Sequence, residues 1–427
     1  MVLAMLILLN LSTYLGKANK PGLGALEQRF RLAVAAKSVG SLAGAAVDGS
    51  SSADTFREIE LATVAQRKSD VEAESLYVAA KVARTGAPVD AKEAPLLAKK
   101  SGGRFAALRG AFLAPIPSTE VAKELVTNLG ERPVDAFARS KLNRFAGLSE
   151  NGVGPEAIRL LLGGAMVMGV FGLGALAIIL GLAYLKNAGP ATGFAVGPIT
   201  LPQADGMALL GALQMLTFVA ASILGSLLIR GLPKSIEPLG SIVPYAMMAG
   251  GIAWMSRTSL RGRRISLANL GLRRLEPSHL LWGVGGAFAN APIVLLMGFL
   301  GTRIFSFLPP PEHPITIELQ SGLANPLRLI SVFAIASLFA PFLEETMFRG
   351  TLTPAFSRVF GSVGLGVLTT SFFFASIHPT GIPAWPALMA VGAMGAFLAY
   401  RTGSLWPSVI MHGVHNFGTL ILALLTS

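Results

Sequence analysis

The sequence contains no cysteine among its 427 residues. This excludes disulfides, thiolate catalysis and cysteine-ligated metal, and leaves the redox compartment open. Charge is also scarce: 14% of residues are Asp, Glu, Lys or Arg, against about a quarter in a soluble globular chain. Hydrophobic residues make up 52% and the mean hydropathy is +0.60, so the apolar surface requires a bilayer. Acids are rarest in the second part of the chain, where one aspartate, Asp205, and six glutamates follow residue 157. Three catalytic signatures are missing as well. There is no His-Glu-x-x-His, no Gly-x-Ser-x-Gly and no pair of aspartates within hydrophobic runs, which disfavours serine and aspartyl mechanisms.

What is present is glycine, proline and basic residues. Gly 48 and Pro 26 suit membrane helices, where neighbouring helices re-satisfy freed backbone groups. Much of the +12 net charge flanks hydrophobic segments, where it reads as topology and attraction to anionic lipid. No nucleic-acid partner is expected.

Met1–Leu15 is apolar but shorter than a bilayer span, and is compatible with a signal anchor or the remnant of a longer start. Gly16–Glu156 has mixed charge and amphipathic runs at Thr55–Ala83 and Pro117–Leu129, which predicts a helical soluble region acting as a tether, a partner-binding module or a simple extension. From residue 157 eight hydrophobic spans are predicted: Ala157–Tyr184, Met207–Ile229, Leu239–Met255, Leu280–Phe305, Leu327–Phe348, Phe360–Ile377, Ile382–Tyr400 and Leu405–Leu425. The expected fold is an all-α polytopic bundle, with accessory helices over 157–324 and a functional core over 325–427. Six arginines between Arg257 and Arg274 mark a cytoplasmic connection. Counting onward puts Ser306–Asn325 outside, the turn Arg349–Arg358 inside, the turn near Pro379 outside and Arg401–Ser404 inside.

Two acids sit where acids are costly. Glu344 and Glu345 fall near the end of an apolar run, and an intramembrane carboxylate is a functional-site hypothesis by default. His378 ends a second span, and His412 and Asn416 lie inside the last one. Residues four apart share a helix face, which aligns Phe374 with His378, His412 with Asn416 and Glu345 with Arg349. Arg349 would then neutralise Glu345 and leave Glu344 as the free acid. With turns near Arg358 and Ser404, a rise of about 1.5 Å per residue sets Glu344, His412 and Asn416 about 20, 12 and 18 Å from their turns and His378 about 30 Å from its own. Tilt and irregular ends can absorb these differences, so the groups converge at one level. A buried carboxyl can take a proton from water and return it to a leaving amine, while His and Asn donors stabilise an oxyanion. That set suffices for peptide hydrolysis without a covalent intermediate. His415 reads as packing or polar lining, and His279 and His313, in loops, are assigned no chemistry.

On Glu344-Glu345-x-x-x-Arg349, Phe374-x-x-x-His378 and His412-x-x-x-Asn416, preceded by Arg401-Thr-Gly-Ser-Leu-Trp-Pro-Ser408, the chain resembles the CAAX-protease and bacteriocin-processing (abortive-infection) family of intramembrane proteases. The likeness covers about residues 325–427. It implies an endopeptidase acting on a membrane-associated protein or peptide, with a cavity opening toward the cytoplasm or inner leaflet, at the cell membrane. Glu344 and His378 would hold and activate water, His412 and Asn416 would form the oxyanion site, and Glu345 and Arg349 would support them. No cofactor is expected. The alternative is zinc held by Glu344, His378 and His412, disfavoured because Glu344 cannot easily be both ligand and base. The competing readings are a non-catalytic scaffold or immunity-type protein using the soluble region to bind a partner, and a proton-coupled transporter.

Overall fold

The computed structural model describes residues 49–130, 132–147, 155–229, 242–255, 259–260, 263–264, 266–308 and 325–426, with single positions at 240, 311, 319 and between 23 and 37. The expectations for Met1–Leu15, Glu237, Arg257, Arg261, Glu312, His313, Glu318 and most of Ser306–Asn325 concern residues outside this set. Two compact units emerge, one centred on Asn19–Ala165 and one on Met166–Leu424.

In the first unit the amphipathic run expected over Thr55–Ala83 is two helices, α1 (Gly49–Thr63) and α2 (Val71–Thr85). The break comes from the Asp70 side chain, which accepts from the Glu72 backbone N–H (2.8 Å) and so starts a new helix. Helices α3 (Gly103–Phe112), α4 (Thr119–Val126) and α5 (Pro133–Phe145) follow. Its centre is aromatic: Phe30, Phe56 and Phe112 are buried, and Phe30 meets Phe137 edge-on at 5.4 Å. Arg104 joins two acids beside this core, Glu72 (2.7 Å) and the fully buried Asp135 (2.6 Å).

The second unit is a helix bundle of α6 (Pro155–Asn187), α7 (Leu201–Ile229), α8 (Val243–Met255), α9 (Pro277–Ile304), α10 (Pro326–Phe360), α11 (Val363–Ser376), α12 (Trp385–Thr402) and α13 (Trp406–Thr426). Among the described residues six helices are long and apolar enough to cross a membrane; α8 and α11 are apolar but shorter. Exposed Leu176, Ile179 and Leu180 on α6 are the surface expected against lipid rather than water. The protein is therefore an all-α integral membrane protein. A two-residue hairpin, β1 (Ser259–Leu260) with β2 (Arg263–Arg264), interrupts the connection between α8 and α9.

One expected boundary is wrong for a physical reason. The span predicted to stop at Phe348, followed by a cytoplasmic turn over Arg349–Arg358, is continuous helix to Phe360. Its end is set by Gly361, whose φ of +62° closes the helix in the left-handed conformation. Ser362 then caps α11 by accepting from Leu365 N–H (3.3 Å). Helix α10 also carries two π-helical segments, Ile335–Phe339 and Thr346–Leu352, on either side of the two glutamates.

The start of α13 is fixed by two loops that dock on the turn before it. Gly193 N–H donates to Tyr400 O (2.9 Å) and the Arg401 guanidinium to Pro190 O (2.8 Å). From the other side, Leu405 N–H donates to Gly271 O (3.0 Å) and the Trp406 indole to Arg273 O (2.6 Å). Helix α13 thus enters the bundle at a defined angle and depth.

Candidate active site

Glu344 and Glu345 are adjacent on α10 and live in different surroundings. Glu345 is fully buried. Its Oε1 accepts from Arg349 (3.0 Å) and from His412 Nδ1 (2.9 Å), and its Oε2 accepts from the Ser408 hydroxyl. Glu344 keeps 23% of its side-chain surface exposed, yet its Oε2 is buried and has no hydrogen-bond partner among the described residues. The π-helical segment that follows holds Arg349, the fourth residue after Glu345, within reach of it. A π-bulge at this position is a common mark of a functional site.

Arg349 is not a loop anchor, since it is 2% exposed. Its guanidinium lies 4.5 Å from the centre of the Phe374 ring, a favourable contact for a desolvated cation. Its Nε faces Gly392 O at 3.4 Å. The same Phe374 ring packs against the rings of His378 (4.7 Å) and His412 (5.6 Å), so one aromatic wedge spaces three polar groups.

Each histidine is oriented by its Nδ1. The carbonyls at the end of α11 lack intrahelical donors, and His378 Nδ1–H donates to one of them, Phe374 O, at 2.6 Å. His412 Nδ1–H donates to the Glu345 carboxylate, which can only accept while it is ionised. Both imidazoles therefore turn Nε2 toward Glu344, and each Nε2 lies 3.9 Å from Glu344 Oε2. Asn416 is placed one turn beyond His412, where its amide donates to Ala336 O (2.8 Å) in the first π-helical segment of α10. One of its two N–H groups is thus engaged with backbone. His415 contributes its backbone carbonyl to Thr419 (2.9 Å). His279 is not in a loop: it forms a capping box with Glu276 in the first turn of α9.

The sequence reasoning named Ser408 only as part of a run and overlooked Gly392 and Gly395. Ser408 lies one turn before His412 and is fully buried. A Cβ on Gly395 would stand 3.0 Å from Glu345 Oε2 and 2.7 Å from Ser408 Oγ, and one on Gly392 would stand 3.1 Å from an Arg349 nitrogen. Only a bare backbone lets α12 approach the buried ion pair this closely. The available signal was a small polar residue at helical spacing from His412, opposite a Gly-x-x-Gly pair.

Zinc was the alternative occupant. The held Nδ1–H groups are the arrangement that metal-binding histidines use. The distances are not: two ligands about 2.1 Å from a tetrahedral zinc stand about 3.4 Å apart, less than the 3.9 Å found here. Among the described residues no group of three or more His, Asp or Glu side chains is arranged to hold a metal ion. As spaced, the three residues do not fit the ion.

Residues 326–418 match a family model described as Rce1-like, type II CAAX prenyl endopeptidase Rce1-like. The matched stretch runs from the start of α10 into α13 and contains all six candidate residues. Over that stretch the chain is similar to the CAAX-type membrane endopeptidases that the model describes. No curated protein matches the chain, and no solved structure does.

Proposed function

We propose that the C-terminal unit is an intramembrane endopeptidase that hydrolyses a peptide bond of a membrane-associated protein or peptide, with water activated by Glu344 and no metal. The observation that carries this reading is the unpartnered Glu344 Oε2, which faces two oriented imidazoles at 3.9 Å. One water hydrogen-bonded at about 2.8 Å to its neighbours spans such a gap. It would donate one hydrogen to Glu344 and the other to the bare Nε2 of His378. As the water attacks the scissile carbonyl carbon, its proton passes to Glu344. The same carboxyl then protonates the leaving amine, and the peptide bond breaks with Glu344 returned to its carboxylate.

The oxyanion needs donors, and here the geometry refines the expected roles. With Nδ1–H given to Glu345, neutral His412 presents only a lone pair at Nε2. It donates to an oxyanion as the imidazolium, whose charge also offsets the second carboxylate in a cluster that otherwise holds two acids and one guanidinium. Asn416 adds its remaining N–H. The matching family is described as a CAAX prenyl endopeptidase, and a lipid-anchored C-terminal peptide suits a site built between membrane helices.

The test compares membrane peptides from cells carrying the protein with those from cells carrying its Glu344→Gln form. Peptides shortened only in the first support hydrolysis. Identical peptide sets at equal protein levels reject it in favour of a scaffold.

A further inference from the structure

The hydrogen bonds around Glu345 give a role to a residue outside the three motifs. Glu345 has two oxygens and three side-chain donors. Oε1 takes Arg349 and His412, and Oε2 takes Ser408 alone. A carboxylate held only at Oε1 can rotate about its last side-chain torsion, which is broad and soft for Glu. The Ser408 hydroxyl pins the other end, and that fixes the plane in which Oε1 meets the imidazole of His412. Ser408 and His412 are four residues apart on α13 and so share one face. The bond exists because α12 presents no side chain at Gly395, where a Cβ would stand 2.7 Å from Ser408 Oγ.

We propose that Ser408 is a positioning residue, which locks the Glu345 carboxylate so that His412 keeps its Nδ1–H on Glu345 and its Nε2 on the reacting centre. Ser408 does not reach Glu344 and acts only through Glu345. The oxygen it holds is fully buried, so no water replaces the hydroxyl when it is removed. Arg349 binds Oε1 through Nη1 and Gly392 O through Nε, and its Nη2 has no hydrogen-bond partner among the described residues, so Ser408 alone holds Oε2. This assignment rests on the proposed hydrolysis for its kinetic consequence and on hydrogen bonding alone for its structural one.

The experiment therefore has two arms. In purified protein in detergent, Ser408→Ala should lower kcat by about 10- to 100-fold, the range for losing the partner that orients a functional histidine, with KM unchanged. In ¹⁵N-histidine-labelled protein, the His412 Nδ1 proton, assigned by its loss in His412→Gln, should give a protected downfield signal. That signal should broaden or vanish in Ser408→Ala. Gly395→Ala, which pushes a methyl group onto the same hydroxyl, should reproduce both effects. If Ser408→Ala leaves the Nδ1 signal intact, the assignment is overturned, whether turnover is unchanged or lost through lower thermal stability. If the unaltered protein cleaves no peptide, the proposed hydrolysis fails while the spectroscopic arm still decides the role of Ser408.

Discussion

Exchanging the two adjacent glutamates for glutamine, one at a time, should separate chemistry from stability. Glu344 Oε2 has no hydrogen-bond partner among the described residues, so Glu344→Gln gives up no hydrogen bond to them and removes a charge that is only partly solvated. Its melting temperature should equal or exceed that of the unaltered protein. Turnover should fall by roughly the 10²–10⁴-fold that a positioned general base contributes. Glu345→Gln removes the counter-charge of a guanidinium that is 2% exposed and is otherwise held by one 3.4 Å hydrogen bond to a carbonyl and by the Phe374 ring. Breaking a buried pair from one side costs about 3–5 kcal/mol. At about 2–4 °C per kcal/mol for a unit of this size, the melting temperature should drop by roughly 10 °C, and turnover should fall with it. Both quantities are read on detergent-purified protein, cleavage by mass spectrometry of a membrane peptide and unfolding by intrinsic fluorescence. A Glu344→Gln protein that cleaves within tenfold of the original rate, or that melts as low as Glu345→Gln, would refute the division of roles.

Three further outcomes follow from the same geometry. Asn416→Ala should lower kcat by roughly the 10²–10³-fold of one lost oxyanion donor and also free the Ala336 carbonyl; an unchanged kcat would remove Asn416 from the site. Exhaustive chelation should leave the cleavage rate unchanged, with less than about one zinc per chain by elemental analysis; a stoichiometric metal whose return restores a lost rate would overturn the metal-free reading. Deleting Gly16–Glu156 should preserve cleavage, since every candidate residue lies after 340; a normally inserted but inactive truncation would place part of the function in the N-terminal unit.

The spans were legible because a bilayer imposes length and hydropathy on each helix, and the predicted Leu280–Phe305 and Ile382–Tyr400 differ from α9 and α12 by a few residues at their ends. The pairing of Glu345 with Arg349 was also legible, from helical spacing. The depth of Arg349 was not, because a basic residue after an apolar run reads as a loop anchor until its partner and its aromatic neighbour are located. The two π-helical segments left no trace either. Ile335–Phe339 continues the apolar pattern and the Arg349 and Gly350 of Thr346–Leu352 read as the end of a span, while the extra residue per turn depends on contacts such as Asn416 with Ala336 O, 80 positions away. Ser408 and Gly395 escaped because a small side chain, or none, has significance only through what packs against it.

Helix α11 has 14 residues, which at about 1.5 Å each makes a rod of about 21 Å. A hydrocarbon layer about 30 Å thick cannot be crossed by it unaided. Either the lipid thins to meet the turn at 378–381 or that turn ends inside the hydrocarbon with a funnel of headgroups and water above it. Both forms of hydrophobic mismatch lower the distance a water molecule must travel from bulk to Glu344. The proposed hydrolysis would need such a short route for its second substrate, and the missing helical turns would provide it.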